Sequence, residues 1–153
     1  MYKRILVALD GSETSMRALT ASLNLARQGG GRVRLVHVVE ELAYLGGFDP
    51  YGASSGDLIK VIRENGAKVL ATGLAAAGSA GVEADTVLYD NFGERLSDAV
   101  ADAAKQWNAD LIVVGTHGRR GIGRVLMGSG AEHIIRLSPV PVLVIRSPET
   151  PPA

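Results

Sequence analysis

Five apolar runs punctuate the chain, at residues 4–9, 33–39, 82–88, 111–115 and 142–145. The first and fourth, Arg4-Ile5-Leu6-Val7-Ala8-Leu9 and Leu111-Ile112-Val113-Val114-Gly115, are nearly continuous in Ile, Leu and Val. Runs of that kind predict strands buried on both faces, as in the middle of a parallel sheet. The third run alternates apolar and polar positions and predicts a weaker strand. Helical spacing fills the intervals. Residues 14–28 set Ala18, Leu19, Ser22, Leu25 and Ala26 on one stripe, with Ser12 as candidate N-cap and Gly29-Gly30-Gly31 as the stop. Residues 57–77 form a long alanine-rich pattern. A third helix is predicted over 92–107, entered through Asn91 with Glu94 as the reciprocal acid of a capping box. The last runs over 129–137, and Pro139 and Pro141 prevent its continuation.

Strands alternating with helices predict an α/β fold with right-handed crossovers and an open, doubly wound parallel sheet, helices on both faces. Ligands of such sheets sit beyond the carboxyl ends of the strands, where the winding reverses. Three features fall on that edge: Asp10-Gly11-Ser12 after the first strand, Val38-Val39-Glu40 ending the second, and a glycine-rich loop after the fourth. They are expected to share one pocket, although periodicity does not set the strand order. Residues 43–56, with four Gly, one Pro and two Tyr and no period, read as a loop on the same edge with the composition of a lid. Residues 1–146 are expected to form one domain. The segment 147–153 holds three of the six prolines and is expected to be a disordered tail.

Composition narrows the classes. At 153 residues the chain is long enough for one domain with a real core. Sixteen basic residues balance sixteen acidic ones, so no global field favours nucleic acid or an anionic membrane. The absence of cysteine excludes disulfides, thiolate metal sites and thiol catalysis, and fits a reducing, cytoplasmic setting. No stretch reaches the ~18 apolar residues of a membrane span. The apolar run at the N-terminus is too short for a signal-peptide core and ends at Asp10.

The chemistry concentrates after the fourth strand. Six of the sixteen residues from 115 to 130 are Gly, three are Arg (Arg119, Arg120, Arg124), and none is acidic. In a chain without net charge this imbalance predicts an anionic ligand. Backbone N–H groups approach an anion where side chains are missing, and the following helix N-terminus adds free donors and the positive dipole end. The span is about twice the ~2–6 residues usual for such a connection, which argues against a plain linker. It is not the dinucleotide fingerprint, because no G-x-G-x-x-G directly follows the strand. It is not a Walker loop either: Gly123 and Gly128 have the right gap, but Ser129 stands where the lysine belongs.

The spacing Gly115-x-x-Gly118, nine residues, then Gly128-Ser129 resembles the ATP-binding signature of the universal stress protein family, G-2x-G-9x-G-[S/T]. The resemblance covers nearly the whole chain. Lys3 through Ser12 is similar to the family's opening strand, and Leu35-Val36-His37-Val38 to its second. Asp110 through Gly118 is similar to the fourth strand and loop, and Pro139 through Arg146 to the closing strand. It implies a Rossmann-like domain with a five-stranded sheet, binding ATP with Mg2+ or Mn2+. Asp10 would lie near the ribose or a phosphate-bound metal, and Val38 would offer backbone groups to the adenine edge. Gly115 and Gly118 would let the backbone close over ribose and phosphate, with Arg119 beside the phosphates. Gly128, Ser129 and the N–H of Gly130 would hold the phosphates. Gly130 departs from the small apolar residue common there, which predicts intact binding and a looser helix start. The resemblance also implies a homodimer through the Val142–Ile145 edge strand, and a regulatory protein, acting through an unidentified protein partner, with at most slow ATP hydrolysis. No catalytic residue is assigned.

His117 invites a role as general base, but no Asp or Glu lies nearby in sequence to orient it; a phosphate contact or surface exposure fits better. His37, inside the second strand, reads as a core or rim residue. Arg119, Arg120 and Arg124 fit either a phosphate clamp or a solvated face. Two alternatives remain: a slow ATPase or nucleotidyl-transfer enzyme on the same fold, and a nucleotide-free dimeric scaffold, against which the intact glycine spacing argues.

Overall fold

The computed structural model describes residues 1–39, 55–91, 93–116 and 128–147. Five strands alternate with four helices in these residues: β1 (Arg4–Ala8), α1 (Glu13–Gly29), β2 (Arg32–Val38), α2 (Ser55–Ser79), β3 (Ala84–Tyr89), α3 (Leu96–Trp107), β4 (Leu111–Gly115), α4 (Ser129–Leu137) and β5 (Val142–Ile145). All pairings are parallel and the order is β3-β2-β1-β4-β5. Winding therefore reverses between β1 and β4, the two strands whose apolar runs are most continuous.

The continuity of those runs follows from burial on both faces. Ile5 and Val7 of β1 and Leu111 and Val113 of β4 pack with α1 and α2, including Leu19, Leu23 and Leu70. Their neighbours Leu6, Ile112 and Val114 pack with α3 and α4, including Val100, Trp107 and Ile134. Each face holds a separate core, and every one of these strand residues is at least nine-tenths buried. On α1 the buried stripe includes Ala18, Leu19, Ser22 and Ala26 as expected; Leu23 joins it, and Leu25 is only partly buried.

Most ends of elements follow local chemistry. Ser12 caps α1 by accepting from Ser15 N–H at 3.2 Å, and Gly30 ends it in the left-handed conformation. Helix α2 is longer than expected and takes in residues 55 and 56 of the segment read as a loop; residues 43–54 lie outside the described residues. The expected capping box at Asn91 is not formed. Gly93 adopts φ +94°, a conformation that interrupts a right-handed helix, and α3 begins only at Leu96 with Arg95 as an N-cap lacking a side-chain bond. Asn91 and Glu94 instead close a turn, with Glu94 N–H on the Asn91 carbonyl at 3.2 Å and Asn91 Nδ2 on the Glu94 carboxylate at 3.4 Å. The tail expected at 147–153 lies outside the described residues beyond Ser147.

The amino-terminal edge of the sheet is polar. Asp110 accepts from the backbone N–H groups of Lys3 and Arg4 at 2.8 and 3.1 Å, tying β4 to β1. Arg4, Arg34 and Arg32 gather around the ring of Trp107, with guanidinium carbons 4.8, 4.9 and 5.7 Å from its centroid. Arg34 also grips Asp85 through two bonds of 2.7 Å, which holds that carboxyl below its ordinary range.

Candidate functional site

The carboxyl-terminal edge gathers Asp10, Val38, Gly115, Thr116, Gly128 and Ser129 at the ends of β1, β2 and β4 and the start of α4. Asp10 sits partly buried in the turn into α1. One carboxylate oxygen accepts from Ser12 N–H at 2.8 Å, and the Asp10 N–H donates to Ser15 Oγ at 3.4 Å. The carboxylate is thus fixed at the positive end of α1.

Val38 ends β2 and is nearly buried. Even-numbered residues of β2 direct their backbone groups to β1, since Arg32 N–H donates to Lys3 and the Val36 carbonyl accepts from Leu9. The ladder between the two strands ends at Ala8 and Val36, so the N–H and C=O of Val38 face the space beyond β1. Next to it, His37 is buried with Nδ1 2.7 Å from the Leu9 carbonyl, in agreement with its reading as a core or rim residue.

The glycine-rich stretch leaves β4 through Gly115 and Thr116. Thr116 N–H donates to the Ile145 carbonyl at 2.9 Å, and the Thr116 carbonyl accepts from Gly128 N–H at 2.6 Å. That second bond brings the two ends of the stretch together at the entrance of α4. His117, Gly118, Arg119, Arg120 and Arg124 lie between them, outside the described residues. Gly128 is the N-cap of α4, and Glu132 N–H bonds back to its carbonyl at 3.1 Å. The N–H groups of Ser129, Gly130 and Ala131 therefore belong to the first turn, where no intrahelical acceptor exists. Glu132, the acid of that turn, pairs with Arg136 at 2.9 Å. These donors, a glycine cap without a side chain and an exposed Ser129 are suited to an anion.

Two glycines have packing reasons that the sequence does not show. A Cβ on Gly115 would lie 2.6 Å from Thr14 Cγ2 and 3.1 Å from the Thr14 backbone carbonyl carbon, so α1 occupies its place. A Cβ on Gly130 would meet Leu96 Cδ2 at 3.1 Å, and α4 is regular from Ser129 onward. Sequence reasoning also missed a cleft of about 310 Å³ between α1 and α2, lined by Gly11, Met16, Asn65, Lys68, Val69 and Thr72. The signal was the spacing 65, 68, 69, 72 on one side of α2, hidden by its alanine content. Among the described residues no group of three or more His, Asp or Glu is placed to hold a metal ion. None of their helices is long and apolar enough to cross a membrane.

This geometry accompanies a clear kinship. A model of the universal stress protein family matches residues 1–146. A universal stress protein of Methanocaldococcus jannaschii is 30% identical over 149 residues, covering 97% of this chain and 85% of the relative. Among solved structures, a protein of that family from Burkholderia pseudomallei is 35% identical with a TM-score of 0.76, covering 95% of this chain and 97% of its own. The universal stress protein from Archaeoglobus fulgidus, solved in complex with dAMP, is 26% identical with a TM-score of 0.67 over 94% and 98% of the two chains. The chain belongs to the universal stress protein family.

Proposed function

We propose that this protein binds ATP with Mg2+ at the carboxyl edge of β1, β2 and β4, and that the bound state regulates a partner in a stress response. The observation that carries the reading is the entrance of α4. Gly128 closes onto Thr116, and the free donors of Ser129 and Gly130 follow, at the end of a stretch with three arginines and no acid. The relative from Archaeoglobus fulgidus holds dAMP on the same fold, which supports an adenine nucleotide here. Gly128, Ser129 and Gly130 hold the phosphates, assisted by Gly118 and Arg119; Gly115 closes the backbone near the ribose; Val38 meets the base. Mg2+ takes most ligands from phosphate oxygens and water and needs few carboxylates, a demand that the single fixed carboxylate of Asp10 meets. Residues 1–146 form the nucleotide domain, 147–153 a tail, and the protein works in the cytoplasm. Any hydrolysis is slow.

Calorimetric titration of nucleotide-stripped protein tests this. ATP·Mg2+ should bind with micromolar affinity, and Gly118→Val should weaken it by at least about tenfold by placing a branched side chain against the phosphates. No binding by the wild type would overturn the reading in favour of a nucleotide-free scaffold. Turnover that disappears with Asp10→Ala would favour a slow ATPase.

The reading includes a homodimer through β5. This strand is an edge of the sheet, and Leu143 is 36% exposed and belongs to neither core. Ile135 and Leu137 on α4 add exposed apolar surface. Leu143→Glu should give folded monomers by light scattering, whereas a Val144 variant would also disturb the α3–α4 core. A dimer unchanged by Leu143→Glu would exclude this interface.

A further inference from the structure

The ends of β1 and β2 lack a rung that their register calls for. Even residues of β2 bond to β1: Arg32 N–H reaches the Lys3 carbonyl at 2.9 Å, and the Val36 carbonyl receives Leu9 N–H at 2.8 Å. Odd residues bond to β3, as Val33 and Val39 do to the carbonyls of Glu83 and Tyr89 at 3.0 and 2.8 Å. One more step of the pattern would join Val38 N–H to the Leu9 carbonyl. Among the described residues that bond is not formed. The Leu9 carbonyl accepts instead from His37 Nδ1 at 2.7 Å, and because a carbonyl carries no proton, Nδ1 is the protonated nitrogen.

The face from which this bond comes supplies a cause for the missing rung. The side chain of His37 stands on the face that α1 and α2 cover, with Val33 and Leu35, whereas ladder bonds lie in the plane of the sheet. A carbonyl that turns toward the imidazole leaves that plane. Helix α2 is shaped for the ring: a Cβ on Gly66 would lie 2.7 Å from His37 Cδ2 and 2.8 Å from Leu88 Cδ1. Glycine is unfavourable inside a helix, and here it makes the notch in which the imidazole sits.

We infer that His37 is a positioning residue that withholds the Leu9 carbonyl from the ladder and so keeps the N–H and C=O of Val38 available to a ligand. An adjacent donor and acceptor on one strand edge match the ring nitrogen and exocyclic amine of an amino-purine. The identity of that ligand rests on the nucleotide reading above; the backbone arrangement does not.

The test uses the full chain in the nucleotide-free state and reads the scalar coupling across a Val38 N–H···O=C Leu9 hydrogen bond by NMR. Wild type should show no such coupling. In His37→Leu the Leu9 carbonyl should return to the sheet, the coupling should appear, and ATP affinity should fall by about tenfold, the loss of one hydrogen bond. His37→Asn, whose Nδ2 can stand where Nδ1 stands, should restore both wild-type properties. Gly66→Ala, which pushes the ring from its notch, should follow His37→Leu and serves in its place if that variant does not fold. Coupling already present in wild type, or absent in both folded variants, overturns the inference. Equal loss of ATP affinity in the Leu and Asn variants would reduce His37 to a packing residue. If wild type binds no nucleotide, the nucleotide reading fails while the coupling still decides the role of His37.

Discussion

Trp107→Ala should lower the unfolding free energy by about 3–5 kcal/mol, the range for losing a large buried aromatic. The ring is 5% exposed at the last turn of α3 and packs in the core between α3, α4 and the sheet. Its loss leaves a cavity bordered by backbone that cannot collapse, since β1 and β4 are held there by Asp110. The guanidinium groups of Arg4, Arg32 and Arg34 also lose their shared aromatic face, at about 0.5–1 kcal/mol for each contact. Against a typical total of about 5–15 kcal/mol, this loss is a large fraction of the stability. Urea denaturation followed by circular dichroism measures the difference. Trp107→Phe keeps most of the apolar volume and a π face, and should recover more than half of the loss. A Trp107→Ala penalty below about 1 kcal/mol would show that the ring does not fill the core. The cluster lies on the edge opposite the proposed site, so variants that remain folded should keep their ligand affinity.

Gly115→Val should cost about 3 kcal/mol, the upper part of the usual range for overpacking. The nearest atoms to the added Cβ are Thr14 Cγ2 at 2.6 Å and the Thr14 Cβ and backbone carbonyl carbon at 3.1 Å. A methyl group can rotate away, but the backbone cannot. The first turn of α1 is held by the Ser12 cap and by the hydrogen bond between the hydroxyls of Thr14 and Ser147. The helix would have to move away from β4, taking the Asp10–Ser12 turn with it. Ligand affinity should therefore fall together with stability, unlike the response at Trp107. Gly115→Ala separates the contributions. Its penalty should shrink when Thr14→Ala removes Cγ2, giving a favourable coupling in a double-mutant cycle. Additive effects of the two substitutions would show that Thr14 is not the obstacle and that Gly115 serves the ligand alone.

Several features were legible because their causes are local. The runs in β1 and β4 are continuous because both faces are buried, and that burial is written in consecutive side chains. The Ser12 cap, the glycine stop after α1, and the end of α4 just before Pro139 depend on contacts within about four residues. The grouping of Asp10, Val38 and the glycine-rich stretch on one edge follows from strand and helix alternation alone.

The misreadings and omissions have a different origin. Asn91 and Glu94 have the spacing of a capping box whether or not the chain turns between them, and only the positive φ of Gly93 distinguishes a turn from a helix start. Nor does the sequence show that the Cβ space of Gly115 is filled by a threonine a hundred residues away. Arg4, Arg32, Arg34 and Trp107 carry no shared pattern, and meet because β1 and β2 are neighbours and α3 ends beside them. The bond from His37 to Leu9 needs the register of two strands and a notch in α2. The strands, most of the helices, the Ser12 cap and the edge that carries the candidate site could thus be read from the residues alone, because side-chain periodicity and short-range hydrogen bonds carry that information. Strand order, the close contacts at glycines and the arrangement of backbone donors were decided by tertiary structure, because they depend on which distant segments become neighbours.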